Sequence, residues 1–205
     1  MPDYIQQRSA MVSRYCSIGY LESDSVTEAL LTVPREKFMD PSSREFAYFD
    51  VPLPIPGDGR QTISAPYMYP LVYEALNLKK GDIFLEVGAG SGYGAALAQE
   101  IVGLEGHVVA IEINPTTYAF AKANLKRTGY QDITLILGDG GFGYLAKAPY
   151  NAISITAASP NFPPPLINQL KVLGRMVAPI GKTSIYGQDL VVLEKNSDVV
   201  YPNGY

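Results

Sequence analysis

The chain has 205 residues, 47% hydrophobic and 18% charged, which suits one folded domain, or one domain with an extension, around a sizeable core. A net charge of −4, with Arg8 and Arg14 isolated and no Lys/Arg cluster, argues against nucleic acid as a partner. A single cysteine, Cys16, excludes an intrachain disulfide, and the lack of a long apolar run or signal-peptide pattern leads to the expectation of a cytoplasmic protein with no membrane partner.

Residues 3 to about 32 are predicted to be helical. Ser25 and Glu28 form a capping-box pattern ahead of the apolar run Ala29, Leu30, Leu31. Cys16 within this segment is expected to be a small, partly buried filler. The following "VPREKFMDPSSREFAYFDVPLPIPGDGR" is rich in proline. Phe38, Phe46, Tyr48 and Phe49 give it something to bury, so an ordered excursion is expected rather than a linker.

From residue 66 helices and strands alternate. "PYMYPLVYEALNL" has helical spacing, "KGDIFLEVGAG" is a strand running into a glycine turn, and "GYGAALAQEIVG" is a helix. "GHVVAIEI" is a strand. "NPTTYAFAKANLKRTG" is a helix with Asn114 as N-cap, Pro115 at its first position and Gly129 as its stop. "ITLILGD" and "NAISITAAS" are strands, "PPLINQLKVLG" a short helix, and "RMVAPIG" and "DLVVLEK" two further strands. The expected fold is α/β, a doubly wound, mostly parallel sheet with helices on both faces. The division expected is an N-terminal helical and irregular extension over 1–60, packed on a core over 61–205.

The strongest motif is "LEVGAGSGYG". Gly88, Gly90 and Gly92 follow the first long strand, where glycine permits a tight turn and lets a ligand lie against bare backbone. About twenty residues on, Glu112 ends the next strand, the place for a carboxylate that accepts from both ribose hydroxyls of a nucleotide. Gly90, Gly92 and Ala95 also satisfy the nicotinamide fingerprint. However, Glu86 just before the loop suits a cationic ligand better than a pyrophosphate, and "EVGAGSG" matches the acidic-x-G-x-G-x-G pattern of class I methyltransferases, whose S-adenosylmethionine carries a sulfonium and an ammonium. After the next strand, Asp139 would lie beside the adenine and Gly140 would leave room for its ring. The plain alternative is an Asp-Gly turn.

"VPREKFM", "QTISAPYM", "LEVGAGSGYGAALAQEIVG", "ILGDGGFGY", "APYNAISITAASP" and "QLKVLGRMVAPIG" occur in the order found in the protein-L-isoaspartate O-methyltransferases, which the chain resembles over roughly residues 25 to 195. The resemblance implies a Rossmann-like class I methyltransferase that uses S-adenosyl-L-methionine to methylate the free carboxylate of isoaspartyl residues in damaged proteins and peptides. It implies a monomer and no metal. It assigns Ser64 as the catalytic serine orienting the substrate carboxylate and places Thr62 near the cofactor. The alternative reading of Ser64 is a cap for the helix starting near Pro66. Tyr67 stands where the family usually has histidine, as a substrate-side residue that cannot change charge near neutrality. The sole histidine, His107, is read as a surface turn residue at a strand start. The tail "NSDVVYPNGY" departs from the family's covering segment. Competing readings are a same-fold methyltransferase for another peptide carboxylate, a non-catalytic cofactor-binding module and, weakest, a nicotinamide oxidoreductase.

Overall fold

In the computed structural model, which describes residues 3–181 and 188–197, six strands form one sheet in the order β5-β4-β3-β6-β7-β8. They are β3 (Ile83–Val87), β4 (His107–Glu112), β5 (Thr134–Leu137), β6 (Tyr150–Ile155), β7 (Leu170–Ile180) and β8 (Asp189–Glu194). All neighbours are parallel except β7 and β8. The first strands wind outward from β3 to β5, and the chain then returns to place β6 on the other side of β3. Order therefore reverses between β3 and β6, and that reversal opens a crevice at the carboxyl ends. A two-stranded ribbon, β1 (Leu53–Pro54) with β2 (Thr62–Ile63), lies outside this sheet.

Successive side chains leave a strand on opposite faces, and the core divides accordingly. Phe84, Val108, Ala110, Ala152 and Val177 share one cluster with the helices α2 (Asp24–Thr32), α3 (Met68–Leu76) and α4 (Tyr93–Val102). Leu85, Val109, Ile111, Ile153 and Met176 pack on the other face with Leu166 and Ile167 of α6 (Pro164–Gln169). Met11, Val12 and Tyr15 of α1 (Tyr4–Ser17) belong to the first cluster, as do Phe38 and Met39, so the N-terminal segment shares the sheet's core. Helix α5 (Pro115–Thr128) carries the expected ends: Asn114 Oδ1 accepts from the Thr116 and Thr117 amides, and Gly129 closes it at φ 91°.

Several local expectations are corrected. The N-terminal helical run is two helices, broken over residues 18–23. Ser25 and Glu28 do not form a capping box. The N-cap of α2 is Ser23, and Glu74 of α3 accepts from Glu22 N, Ser23 N and Ser23 Oγ at 3.0, 2.8 and 2.8 Å. Cys16 is exposed, because α1 buries the face of Met11, Val12 and Tyr15. Phe38 and Tyr48 are buried, whereas Phe46 and Phe49 stack edge-on at the surface. His107 is half-buried as the first residue of β4, with Nε2 2.9 Å from Thr134 Oγ1. The departing tail falls largely outside the described residues, and no described helix is long and apolar enough to cross a membrane.

Candidate active site

A cavity of about 300 Å³ opens where the strand order reverses. Its floor is the loop after β3. Gly88, Gly90 and Gly92 all adopt positive φ (93°, 55° and 83°), which residues with a Cβ rarely do, and Gly92 becomes the N-cap of α4. The loop is fixed from two sides, by Thr156 and by Glu112. Thr156, just past β6, donates from Oγ1 to the Gly88 carbonyl at 2.8 Å. Gly90 N donates to Glu112 Oε2, and Asn114 N to Glu112 Oε1, each at 2.9 Å. Glu112 is 5% exposed. A carboxylate offers about four acceptor positions, so these two bonds hold it in place and leave two positions for a ligand.

Glu86 is the electrostatic centre. Its even position along β3 aims it at α4, where a Cβ on Gly94 would overlap Glu86 Oε1. The side chain is 4% exposed, and Oε2 has no partner among the described residues. Burial pushes its pKa up to about 8, against the pull of the Ala95 amide, with the Glu112 charge pushing further upward. A buried acceptor left unpaired is costly, and Glu86 is among the residues that line the cavity. That fits a cationic group in the space above.

The Thr-x-Ser segment forms the opposite wall, with Thr62, Ser64 and Tyr69 lining the cavity. Thr62 lies in β2 and is exposed, while Ser64 is half-buried. Ser64 does not cap α3: the N-cap there is Tyr67, with no side-chain cap bond. A smaller apolar recess of about 60 Å³ shares Ser64, Tyr69, Glu86 and Thr156 and is walled by Met68, Val72 and Ile155.

Thr62, Ser64, Glu86, Gly88, Gly90 and Glu112 thus line one space. Tyr67, Gly92, Asp139 and Gly140 stand outside its lining. Tyr67 packs near Tyr20, ring centroids 6.4 Å apart. Asp139 is exposed, and its Oδ1 accepts from Gly141 N at 2.8 Å, as in the turn reading. Gly140 is buried, and a Cβ there would overlap Val87, so packing already demands glycine at that position. Tyr69 and Thr156 were not anticipated. Thr156 had no sequence signal, and Tyr69 read only as an apolar helix position.

The model of the family described as "Protein-L-isoaspartate(D-aspartate) O-methyltransferase (PCMT)" matches residues 6–203. The chain belongs to this family. Among PCMT relatives, the protein-L-isoaspartate O-methyltransferase of Methanococcus aeolicus is 44% identical over 97% of this chain and 90% of its own length. That of Hyperthermus butylicus is 48% identical over 94% and 82%. A solved structure described as a protein-L-isoaspartate O-methyltransferase superposes with a TM-score of 0.82 at 32% identity. The match takes in 92% of this chain, which spans 60% of that chain's length. A putative PCMT from Plasmodium falciparum, solved with S-adenosyl-L-homocysteine, gives a TM-score of 0.81 over 93% of this chain and 91% of its own; at 24% identity it bears on the fold alone.

Proposed function

We propose that the chain is a protein-L-isoaspartate O-methyltransferase that uses S-adenosyl-L-methionine to esterify the free carboxylate of isoaspartyl residues in damaged proteins and peptides. The observation that carries this is the single cavity that brings the Thr-x-Ser wall, the glycine loop and two buried carboxylates together at the reversal of strand order.

When bound, the cofactor supplies a methyl group activated on a sulfonium sulfur. Residues of this chain do the holding. The two unused acceptor positions of Glu112 would take the ribose hydroxyls, and the buried Glu86 carboxyl, with one oxygen unpaired, would favour the cationic end. Gly88 and Gly90 keep side chains out of the way, Gly92 shapes the turn and packs against Leu125, and Thr62 borders the cavity. Asp139 lies just past β5, exposed and outside the cavity lining; its Oδ1 accepts from Gly141 N, and Oδ2 would be the oxygen left to accept from the adenine amine.

An acceptor carboxylate is already nucleophilic and needs no strong base. The task left to the protein is orientation, which alone is worth many powers of ten. Ser64 performs it by donating its hydroxyl to the acceptor carboxylate, and the apolar recess beside it receives neighbouring parts of the peptide. Tyr67, beyond the lining, has at most a peripheral contact with the peptide. The protein acts as a monomer, without nucleic acid or membrane, and the extension over 1–60 supports the core over 61–205.

The test is methyl transfer from labelled cofactor to an isoaspartyl peptide and to its aspartyl isomer. Label in the isoaspartyl peptide alone is expected. Equal labelling of both would reassign the enzyme to peptide carboxylates in general.

A further inference from the structure

Arg35 follows Pro34 in the irregular excursion, more than twenty residues before the ribbon strand that leads to Ser64, and its side chain is completely buried. Arginine does not lose its proton in proteins, so this is a full positive charge in the interior. No carboxylate among the described residues pairs with it. Nε donates to the Ala47 carbonyl at 2.7 Å, and Nη2 donates to the Ser64 carbonyl at 2.8 Å. Nη1 has no partner among the described residues. The guanidinium carbon sits 5.8 Å from the Tyr69 ring centroid and 5.4 Å from that of Tyr93.

Two carbonyls could be satisfied by neutral donors, so the bonds alone do not explain a buried cation, which is costly to desolvate. Its location does. Ser64 and Tyr69, both in contact with Arg35, line the cavity, and Glu86 lines the same cavity with a carboxyl group. A site that must hold an anionic acceptor next to a carboxylate needs a compensating positive field, and a low-dielectric interior lets that field act over several ångströms.

We infer that Arg35 is a positioning residue for the acceptor carboxylate: it straps the Ser64 backbone in place and sets a positive potential behind the serine. The inference rests on the reading of Ser64 as the acceptor-facing residue.

The experiment compares Arg35→Met, Arg35→Lys, Ser64→Ala and the double variant Arg35→Met with Ser64→Ala. It measures kcat and KM for an isoaspartyl peptide and the Kd of the cofactor. Arg35→Met is expected to raise the peptide KM by about tenfold or more, the scale of one charged interaction, with the cofactor Kd nearly unchanged. Arg35→Lys keeps the charge but reaches only one carbonyl, so its KM should lie between the two; it carries the test if the Met variant does not fold. In the Arg35→Met background, Ser64→Ala should cost much less than it does alone, because the serine is already misplaced. An unchanged peptide KM, a parallel rise in cofactor Kd, or fully additive losses would overturn the inference. Should Ser64→Ala alone leave methyl transfer intact, the reading of the serine itself fails, and that outcome is recognisable without the arginine variants.

Discussion

Cofactor binding is predicted to release a proton from Glu86. With its pKa pushed up to about 8 by burial, Glu86 in the empty site is about nine-tenths neutral at pH 7. A cationic ligand above its unpaired oxygen favours the carboxylate, so binding at pH 7 should release about 0.9 proton per cofactor. Calorimetry in two buffers of different protonation enthalpy measures this directly. The same group shapes stability. An acid whose pKa rises from 4.5 to about 8 on folding stabilises the fold fully below pH 4.5, loses that contribution as pH climbs, and has lost it above 8. At about 1.4 kcal/mol per pH unit, the interval amounts to about 5 kcal/mol. His107 acts in the opposite sense, since burial and Lys147 lower its pKa and its contribution is lost as pH falls below 6.5. Glu86→Gln retains His107, so the difference between the two urea-unfolding profiles from pH 5 to 8.5 isolates Glu86. Binding heats that do not depend on buffer, together with parallel stability profiles, would refute the reasoning.

Two further outcomes follow from packing. Gly94→Ala drives a methyl into Glu86 Oε1 and should cost about 1–3 kcal/mol in unfolding free energy while weakening cofactor binding; wild-type values for both would mean that the helix yields freely. Tyr67→His removes the contact with Tyr20 and should cost about 0.5–1.5 kcal/mol, with isoaspartyl methylation retained because residue 67 stands outside the cavity lining. Abolished methylation in a folded Tyr67→His variant would give the tyrosine a role of its own.

What could be read from the sequence was local. Asn114, Pro115 and Gly129 announced both ends of α5 because capping needs only neighbours in the chain. Gly88, Gly90, Gly92 and Glu112 were readable because a strand, turn, helix and strand fix their spacing. Ser25 misled for the complementary reason: α2 starts after Ser23, whose amide and hydroxyl are held by Glu74, 51 residues further on. Thr156 reaches the glycine loop only because β6 pairs with β3, and Arg35 reaches Ser64 only through the folded excursion. Cys16, expected to be partly buried, is exposed because α1 turns Met11, Val12 and Tyr15 inward instead. Asp139, read in series with Glu112, stands outside the cavity lining with its Oδ1 engaged by the next turn, because that local bond needs only neighbours in the chain.

In the proposed enzyme one cavity divides its work between a cofactor wall and an acceptor wall. Glu112→Ala set beside Ser64→Ala, with cofactor Kd and peptide methylation determined for each, separates the two walls. Glu112→Ala is predicted to weaken cofactor binding by roughly 1.5–3 kcal/mol, the worth of hydrogen bonds to a charged group. Ser64→Ala is predicted to lower methyl transfer at nearly unchanged cofactor affinity. Unchanged cofactor affinity in Glu112→Ala, or a loss of cofactor binding in Ser64→Ala as large as its loss of turnover, would contradict the division.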